Sequence, residues 1–230
     1  MTKRIFSLGF FIIFILISTT TYSSSSESLH LQDATVAAQS QVKLMGMWPY
    51  GACQASAVDT AKNLALIGNG ETLQVLDISA PSSLTKIGEV NLKGSAQDIT
   101  ISGNYAYLVT RSYLKVVDFS NATSPYESAS VYFDGSQLES ISFSSGYAYV
   151  AAGPDGLYIY DVSDPDDPLL LSRYHGGEVQ INDVVIWGNY AICACSYWKF
   201  PEPDWTYGVE IIDISSPSAP VLKGSCKLKG

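Results

Sequence analysis

Histidine is almost missing from this 230-residue sequence, in which His30 and His175 are the only two. Metal sites built from imidazole need several histidines, so a count of two excludes a histidine-based cluster. The scarcity of histidine also disfavours nucleophilic catalysis, because a serine or cysteine nucleophile needs a base within hydrogen-bond reach. The sequence therefore predicts no catalytic residue, no metal and no cofactor.

Basic residues are also scarce, with 13 lysines and arginines against 22 acidic residues and a formal charge of -9. A surface with this excess of negative charge repels the phosphates of nucleic acids. The 47% of hydrophobic residues and 15% of charged residues suit a chain with a buried core. We expect a folded protein that does not bind nucleic acid.

Long hydrophobic runs are missing too, apart from thirteen largely apolar residues from Ile5 to Ile17. Thirteen helical residues span about 20 Å, whereas the hydrocarbon core of a bilayer is about 30 Å thick. Lys3 and Arg4 precede the run and a Ser/Thr-rich stretch follows it, which is typical of a secretory signal peptide. We predict a signal peptide over residues 1–26, a Ser-rich leader over 27–40, and a secreted, periplasmic or cell-surface protein with no membrane span after cleavage. A membrane anchor is the alternative.

Four later segments repeat one pattern, in which an apolar run is followed by Asp-x-Ser and a turn containing proline. They are LQVLDISAPSSL from Leu73, LKVVDFSNATSP from Leu114, LYIYDVSDPDDP from Leu157 and VEIIDISSPSAP from Val209. A second shared block lies upstream of each, with alanines at 65, 106, 148 and 191. Two blocks with one period of about 42 residues indicate a structural repeat.

Each unit reads as four short strands, because its residues alternate and are often β-branched or aromatic. In the third unit the strands are predicted at 138–143, 147–152, 157–162 and 169–174, separated by turn residues. A four-stranded sheet repeated at this period is typical of a β-propeller blade. We predict an all-β propeller over residues 41–230, with blades at about 51–90, 91–133, 134–175 and 176–228.

The repeated Ile/Val-x-Asp-x-Ser-x-Pro segment after a Tyr-Ala-Tyr strand resembles the LVIVD repeat family of exported prokaryotic β-propeller proteins. The resemblance covers about 185 residues, from Gln41 to the C-terminus. It implies a propeller at the cell surface or in the periplasm, usually within a larger extracellular protein. It implies no shared set of catalytic residues.

The first and last strands of the repeat region do not complement each other, as they would in a ring that closes by strand exchange. The segment Val42–Trp48 resembles a fourth strand, and the chain ends on another fourth strand followed by the Leu-Lys-Gly that opens a unit at Leu92. We therefore expect four blades of a longer propeller whose C-terminal blades are missing. A small four-bladed ring is the alternative.

Four aspartates recur at the same place in the repeat, namely Asp77, Asp118, Asp161 and Asp213. A carboxylate just before a tight turn can accept backbone N–H hydrogen bonds there, so we predict a structural role for all four. The further aspartates of the segment IYDVSDPDDP lack the central glycine and distal glutamate of a calcium loop.

The loops that vary between units lie at one end of the predicted propeller, where second-to-third turns and links between blades come together. Arg111, Asp155 and His175 lie in such loops and are candidate binding residues. A lone histidine beside two glycines is also a common turn residue.

The fourth unit carries an insertion at residues 197–207 on this same side. Its aromatic residues suit stacking on a sugar or contact with a protein. The alternative is a self-packed flap that covers a neighbouring blade. The candidate binding residues here are Tyr197, Trp198, Phe200, Trp205 and Tyr207.

The four cysteines do not suggest a disulfide framework. Cys193 and Cys195 share one strand face, and Cys226 is expected two strands away, at about 10 Å, beyond the roughly 7 Å limit for bridged Cα atoms. We predict that the cysteines are small buried hydrophobic residues.

Together these patterns predict a non-enzymatic scaffold that binds protein or glycan through the variable loops. The alternative is an extracellular hydrolase or lyase that uses paired carboxylates, such as Asp155 with Glu178 or Glu202.

Overall fold

The structure is a computed structural model that describes residues 52–199 and 204–228. Within these ranges the chain forms sixteen β-strands and no helix. The prediction of an all-β protein is therefore confirmed. None of these residues belongs to a helix long and apolar enough to cross a bilayer.

The strands follow one another in four groups of four. The first two groups are β1 (Cys53–Asp59), β2 (Leu64–Asn69), β3 (Thr72–Asp77), β4 (Thr85–Asn91), β5 (Asp98–Ser102), β6 (Tyr105–Val109), β7 (Tyr113–Asp118) and β8 (Tyr126–Tyr132). The last two groups are β9 (Ser140–Ser144), β10 (Tyr147–Ala151), β11 (Leu157–Asp161), β12 (Leu169–Tyr174), β13 (Val179–Trp187), β14 (Tyr190–Lys199), β15 (Asp204–Asp213) and β16 (Val221–Leu228).

Each group forms one antiparallel sheet whose strands lie side by side in chain order. We call these sheets blades 1 to 4. The predicted four-stranded unit is confirmed, and the predicted strands of the third unit differ from β9 to β12 by no more than two residues at any end.

One irregularity recurs in all four blades, between the third and fourth strands. The register shifts there by one residue, which marks a β-bulge in the outer strand. The shifts lie at Val75/Leu76, Val116/Val117, Ile159/Tyr160 and Ile211/Ile212. The units therefore share their strand pairing in detail as well as their strand order.

The blades stack face on face. We call the side of a blade that carries the shared alanine (65, 106, 148 or 191) its leading face, and the opposite side its trailing face. Leu66 on the trailing face of blade 1 joins the same buried cluster as Ala106 on blade 2. Blades 2 and 3 meet in the same way through Tyr107 and Ala148. Tyr149 on blade 3 packs with Cys193 on blade 4.

The first strands of the blades gather around a common axis. β1 contacts β5, β5 contacts β9 and β9 contacts β13. Because the strands follow in order outwards, the fourth strands lie at the outside. No comparable contact joins β13 to β1 among the described residues, so the blades form an open arc. This arrangement agrees with a partial propeller and differs from a closed four-bladed ring.

We expect Ile159→Ala to lower the free energy of unfolding by about 2–5 kcal/mol, because it leaves a cavity between blades 3 and 4. Ile159 is fully buried in that contact. Urea unfolding followed by circular dichroism measures the loss. Leu169→Ala, at a side chain 59% exposed, is the control and should change stability by about 0.5 kcal/mol or less. Equal losses in the two variants would contradict the packing described above.

Candidate binding site at the axial mouth

Loops between second and third strands, and links between blades, lie together at the end where the inner strands begin. Hydrogen bonds join them. The N–H of Leu92 donates to the carbonyl of Glu71 (2.7 Å), and the N–H of Leu138 donates to the carbonyl of Arg111 (2.9 Å). We call this end of the structure the axial mouth.

Three side chains from successive inner strands meet at the axial mouth. Asp98, Ser140 and Asp183 occupy the same position in blades 2, 3 and 4, and Ala55 occupies it in blade 1. The Ser140 Oγ lies 2.7 Å from Asp98 Oδ2 and 2.6 Å from Asp183 Oδ1. A hydroxyl carries a single proton, so the two carboxyl groups share one donor. We call these three residues the axial cluster.

Backbone groups fix the carboxylates of the axial cluster. The N–H of Ile141 donates to Asp98 Oδ2 (2.9 Å), and the N–H of Val184 donates to Asp183 Oδ1 (2.8 Å). Asp98 Oδ1 also accepts from the N–H of Ile99 (2.9 Å). Backbone N–H groups therefore hold both carboxylates in defined orientations.

A second layer of polar residues lies one position earlier in the chain than Ala55, Asp98, Ser140 and Asp183. The Gln97 amide donates to the Gln54 amide oxygen (3.2 Å), and the Asn182 amide donates to Ser196 Oγ (3.0 Å). We call this layer the mouth residues; they are Gln54, Gln97, Glu139 and Asn182. The layer combines donors, acceptors and one negative charge.

Arg111, a predicted binding residue, is connected to this layer. Its guanidinium donates to the Gln137 amide oxygen (3.0 Å), and the Gln137 amide donates in turn to the Glu139 carboxylate. A loop of blade 2 thereby contacts the link that leads into β9. The structure thus places Arg111 beside the axial mouth with its side chain exposed.

Asp155 and His175 lie in loops at the same end, but they have different surroundings. The carboxylate of Asp155 accepts from the N–H of Ser136 (2.7 Å) and so ties a loop of blade 3 to the link before it. His175 is exposed in the link between β12 and β13. The structure does not connect either residue by a hydrogen bond to the axial cluster within the described residues.

The insertion of the fourth unit continues two strands instead of forming a separate loop. β14 and β15 are ten residues long, and their pairing extends to Lys199 opposite Asp204. The side chains of Trp198 and Trp205, and all of Phe200, lie outside the described part of the chain.

Tyr197 and Tyr207 take different positions, and each fits one of the two readings that the sequence left open for this insertion. Tyr197 is 8% exposed and belongs to the buried cluster between blades 3 and 4, with Lys227 Nζ 4.5 Å from its ring centre. Alternation along the extended strand turns this ring towards blade 3. Tyr207 is 58% exposed, as an aromatic contact surface requires. The position of Tyr197 thus agrees with the alternative reading, in which a ring of the insertion covers a neighbouring blade.

The four recurrent aspartates all accept the backbone N–H of the serine two residues later. The donor to carboxylate distances are 2.8 Å for Ser79 to Asp77, 2.7 Å for Ser120 to Asp118, 3.0 Å for Ser163 to Asp161 and 2.9 Å for Ser215 to Asp213. These turns lie at the end opposite the axial mouth, because they follow the third strands. The carboxylates close strand ends and do not surround a common cavity.

These hydrogen bonds lower the pKa of the turn aspartates. The pKa of Asp213 falls to about 2, first because the side chain and N–H of Ser215 hydrogen-bond to the carboxylate, and further because of Lys223. Lys223 Nζ lies 3.1 Å from Asp213 Oδ2. The pKa of Asp161 is lowered by the hydroxyl and N–H of Ser163. Ionised carboxylates therefore stabilise the turns.

All four cysteines are free, and they differ in burial. Cys193 and Cys195 are buried, and burial raises the pKa of the Cys195 thiol to about 12. Cys226 is exposed, so the prediction of a buried side chain is wrong there, because its outermost strand has a bare face. No three His, Cys, Asp or Glu side chains come together as a metal site would require in residues 52–199 and 204–228.

The sequence patterns did not single out Asp98, Ser140 and Asp183. They are separated by 42 and 43 residues, which is the period of the repeat. The repeat spacing could have identified these positions as equivalent. It did not do so because the residue type at this position changes from blade to blade.

Because the pKa of Asp213 is lower in the folded state, its ionised form adds stability above the ordinary value of 3.8, and this contribution is lost as the pH falls towards about 2. Asp213→Asn keeps an oxygen acceptor and removes the charge. The difference in urea midpoint between the wild type and this variant should be constant at neutral pH and shrink between about pH 4 and pH 2. Asp134→Asn controls for the loss of one exposed charge. A difference that stays unchanged at acidic pH would refute the explanation.

Ser140→Ala removes the donor shared by two carboxylates, so we expect it to lower the free energy of unfolding by about 1–3 kcal/mol. Adding Asp98→Asn should recover part of the loss, because it removes one of the two negative charges. Thermal and urea unfolding measure both effects. Ser144→Ala, later on the same strand, is the control. An additive double variant would show that the residues do not act together.

The family model of the LVIVD repeat matches residues 54–92, 93–132, 136–175 and 176–227, one match for each blade. No curated protein matches the sequence.

Among the solved structures that resemble the chain, two designed proteins do so at low sequence identity. The computationally designed Ika4 protein has a TM-score of 0.53 and 15% identity, over 72% of this chain and 94% of Ika4. The computationally designed Ika8 protein has a TM-score of 0.52 and 14% identity, over 76% of this chain and 61% of Ika8. These likenesses show the fold alone. The family matches cover more than half of the chain and coincide with its four blades, so the chain belongs to the LVIVD repeat family.

Proposed function

We propose that this propeller is an exported, non-enzymatic binding scaffold that holds a protein or glycan ligand at the cell surface through its axial mouth. The observation that carries the proposal is the contrast between its two ends. One end repeats the same Asp-x-Ser turn in four blades. The other end brings together side chains that differ from blade to blade, including the axial cluster.

The chemistry of the mouth suits a ligand rich in hydroxyl or amide groups. Glu139 and the axial cluster offer carboxylate acceptors, Gln97 and Asn182 offer amides, and Arg111 offers a guanidinium donor. Carboxylates accept hydrogen bonds, and side-chain amides both accept and donate them, so together they match the hydroxyls of sugars and the backbone groups of peptides. Tyr207 adds an exposed aromatic ring on the extended hairpin of blade 4.

Two properties of the sequence support the proposed location and partner. The apolar run at Ile5–Ile17, preceded by Lys3 and Arg4, favours export. The formal charge of -9 disfavours nucleic acid. A cell-surface polysaccharide or protein is therefore the partner that we propose.

A second candidate is a carboxylate-dependent hydrolase or lyase, and one observation favours it. Asp98 and Asp183 both reach the hydroxyl of Ser140, so two carboxyl groups from different blades face one point near the axis. Glycoside hydrolysis uses such a pair as acid and base or nucleophile. The pair of Asp155 with Glu178 or Glu202 stays a prediction, and the carboxylate of Asp155 accepts from the N–H of Ser136.

We expect the protein to be retained on cell-wall polysaccharide or on an immobilised extracellular protein fraction. Arg111→Ala and Glu139→Gln should each weaken that binding about tenfold, equivalent to about 1.4 kcal/mol, because each removes a charged hydrogen-bonding group. Biolayer interferometry against the retained material measures the change.

Asn189→Ala is the matched control, because Asn189 is an exposed polar residue in a hairpin at the opposite end. Equal affinity for all three variants and the wild type would exclude the axial mouth as the binding site. Release of sugar from the polysaccharide, lost in Asp183→Asn, would instead establish the second candidate.

A further inference from the structure

The turn between β7 and β8 contains the one Asn-x-Ser/Thr sequence of the chain, Asn121-Ala122-Thr123. The residue between the asparagine and the threonine is not proline, so the tripeptide meets the sequence requirement for attachment of a sugar chain to asparagine. Such tripeptides also occur by chance, and the surroundings in the fold decide whether one can be modified. Asn121 and Thr123 are both exposed.

The other three blades make the same turn with different residues. In each turn the N–H of the fourth residue donates to the carbonyl of the first, namely Ser83 to Ala80 (2.8 Å), Ser124 to Asn121 (3.0 Å), Asp167 to Asp164 (3.2 Å) and Ala219 to Ser216 (2.9 Å). The second residue of the turn is proline in blades 1, 3 and 4, at positions 81, 165 and 217, and alanine in blade 2. Proline at this position prevents sugar attachment. Blade 2 therefore differs from the other turns at the position that controls modification.

The side chain of Asn121 uses only its oxygen in the turn. Asn121 Oδ1 accepts from the N–H of Thr123 (3.2 Å) and from the hydroxyl of Thr123 (2.8 Å). In blade 3, Asp164 Oδ1 accepts from the N–H of Asp166 (3.1 Å), so an oxygen acceptor is sufficient for this turn. No group in residues 52–199 and 204–228 accepts a hydrogen bond from Asn121 Nδ2. The turn thus explains the oxygen of Asn121 but not its NH₂ group.

Packing of the turn directs the asparagine and the threonine into solvent. Ala122, between them, packs against the buried cluster of blades 1 and 2. Its carbonyl lies so close to β4 that a Cβ on Gly88 would collide with it. The turn follows a third strand, so it lies at the end opposite the axial mouth. A bulky group on Asn121 therefore projects away from the blades and leaves the axial mouth open.

We propose that Asn121 is the attachment site of an N-linked glycan, an inference that rests on the proposed export of the chain and not on ligand binding at the axial mouth. The donor is a sugar chain carried on a lipid pyrophosphate, and an oligosaccharyltransferase outside the cytoplasm catalyses the transfer. Asn121 Nδ2 forms a bond to the anomeric carbon of the sugar, while the bond from that carbon to the phosphate oxygen breaks. The lipid pyrophosphate leaves with the bonding electrons, and Nδ2 gives up one proton to a base of the transferase.

The hydroxyl of Thr123 has a chemical role in this reaction. An amide nitrogen is a poor nucleophile, because its lone pair is delocalised into the carbonyl group. Hydrogen bonds to the amide oxygen stabilise negative charge there, so they favour loss of a proton from the nitrogen. Both donors of Thr123 already point at Asn121 Oδ1 in the folded turn. The fold thus presents the acceptor in a reactive arrangement.

Mass spectrometry of the full chain, isolated from the cells that naturally produce it, tests the proposal. The peptide that contains Asn121 should be heavier by the mass of a sugar chain, and an amidase that releases Asn-linked glycans should leave aspartate at position 121. Thr123→Ala should abolish the added mass, because it removes the hydroxyl. Ala122→Pro should abolish it too, while keeping the turn, because it introduces the proline that the other three turns contain.

Thr123→Ser is the matched control and should keep the sugar, because serine also supplies a hydroxyl. Circular dichroism establishes that each variant is folded. An exported chain with unmodified Asn121, or an added mass that persists in both Thr123→Ala and Ala122→Pro, would overturn the proposal. A chain that stays in the cytosol with its leader attached would contradict the proposed export as well, whereas an exported chain without sugar contradicts only this inference.

Discussion

Contact between the apolar faces of neighbouring blades is the interaction on which the structure depends. Each blade is a single sheet, so it has no interior of its own. Residues such as Val116 and Ile159 are fully buried because the next blade covers them. Burial of apolar area contributes about 25 cal/mol per Å², so a unit gains its stability from its neighbours rather than from its own turns. The apolar residues therefore repeat from unit to unit because each blade makes the same contacts with its neighbours.

The same packing explains why the axial mouth can vary. The stacked faces fix the second and third strands, whose apolar residues recur in every unit. The first strands then converge at the axis, where side chains from three blades come within hydrogen-bond distance. Positions there are constrained by geometry but not by residue type, so Ala55, Asp98, Ser140 and Asp183 can occupy equivalent places. The packed blades thus fix the positions at the axial mouth, whereas the residue type at each position can vary.

The sequence predicts the blades well because local and repeated signals agree. Alternation, turn residues and the period of about 42 residues all indicate the same strands, and four copies make each signal stronger. The axial cluster was not predictable in this way, because its members differ in type and come together only through the stacking of blades. Tyr197 shows a second limit of the sequence. The sequence left both an exposed contact surface and a self-packed flap open, because only the continuation of β14 decides which face the ring lies on.

The bulge that recurs in every blade also affects the rim of the molecule. Outermost strands expose unpaired backbone groups, which could recruit further strands and lead to fibrous aggregates. A bulge increases local twist, so each rim strand bends away from the flat geometry that such growth needs. Charged residues on the same strands, for example Lys86, Glu127, Arg173 and Lys223, add electrostatic protection. An apparent defect in the strand pairing thus makes each rim strand a poorer template for pairing with a further strand.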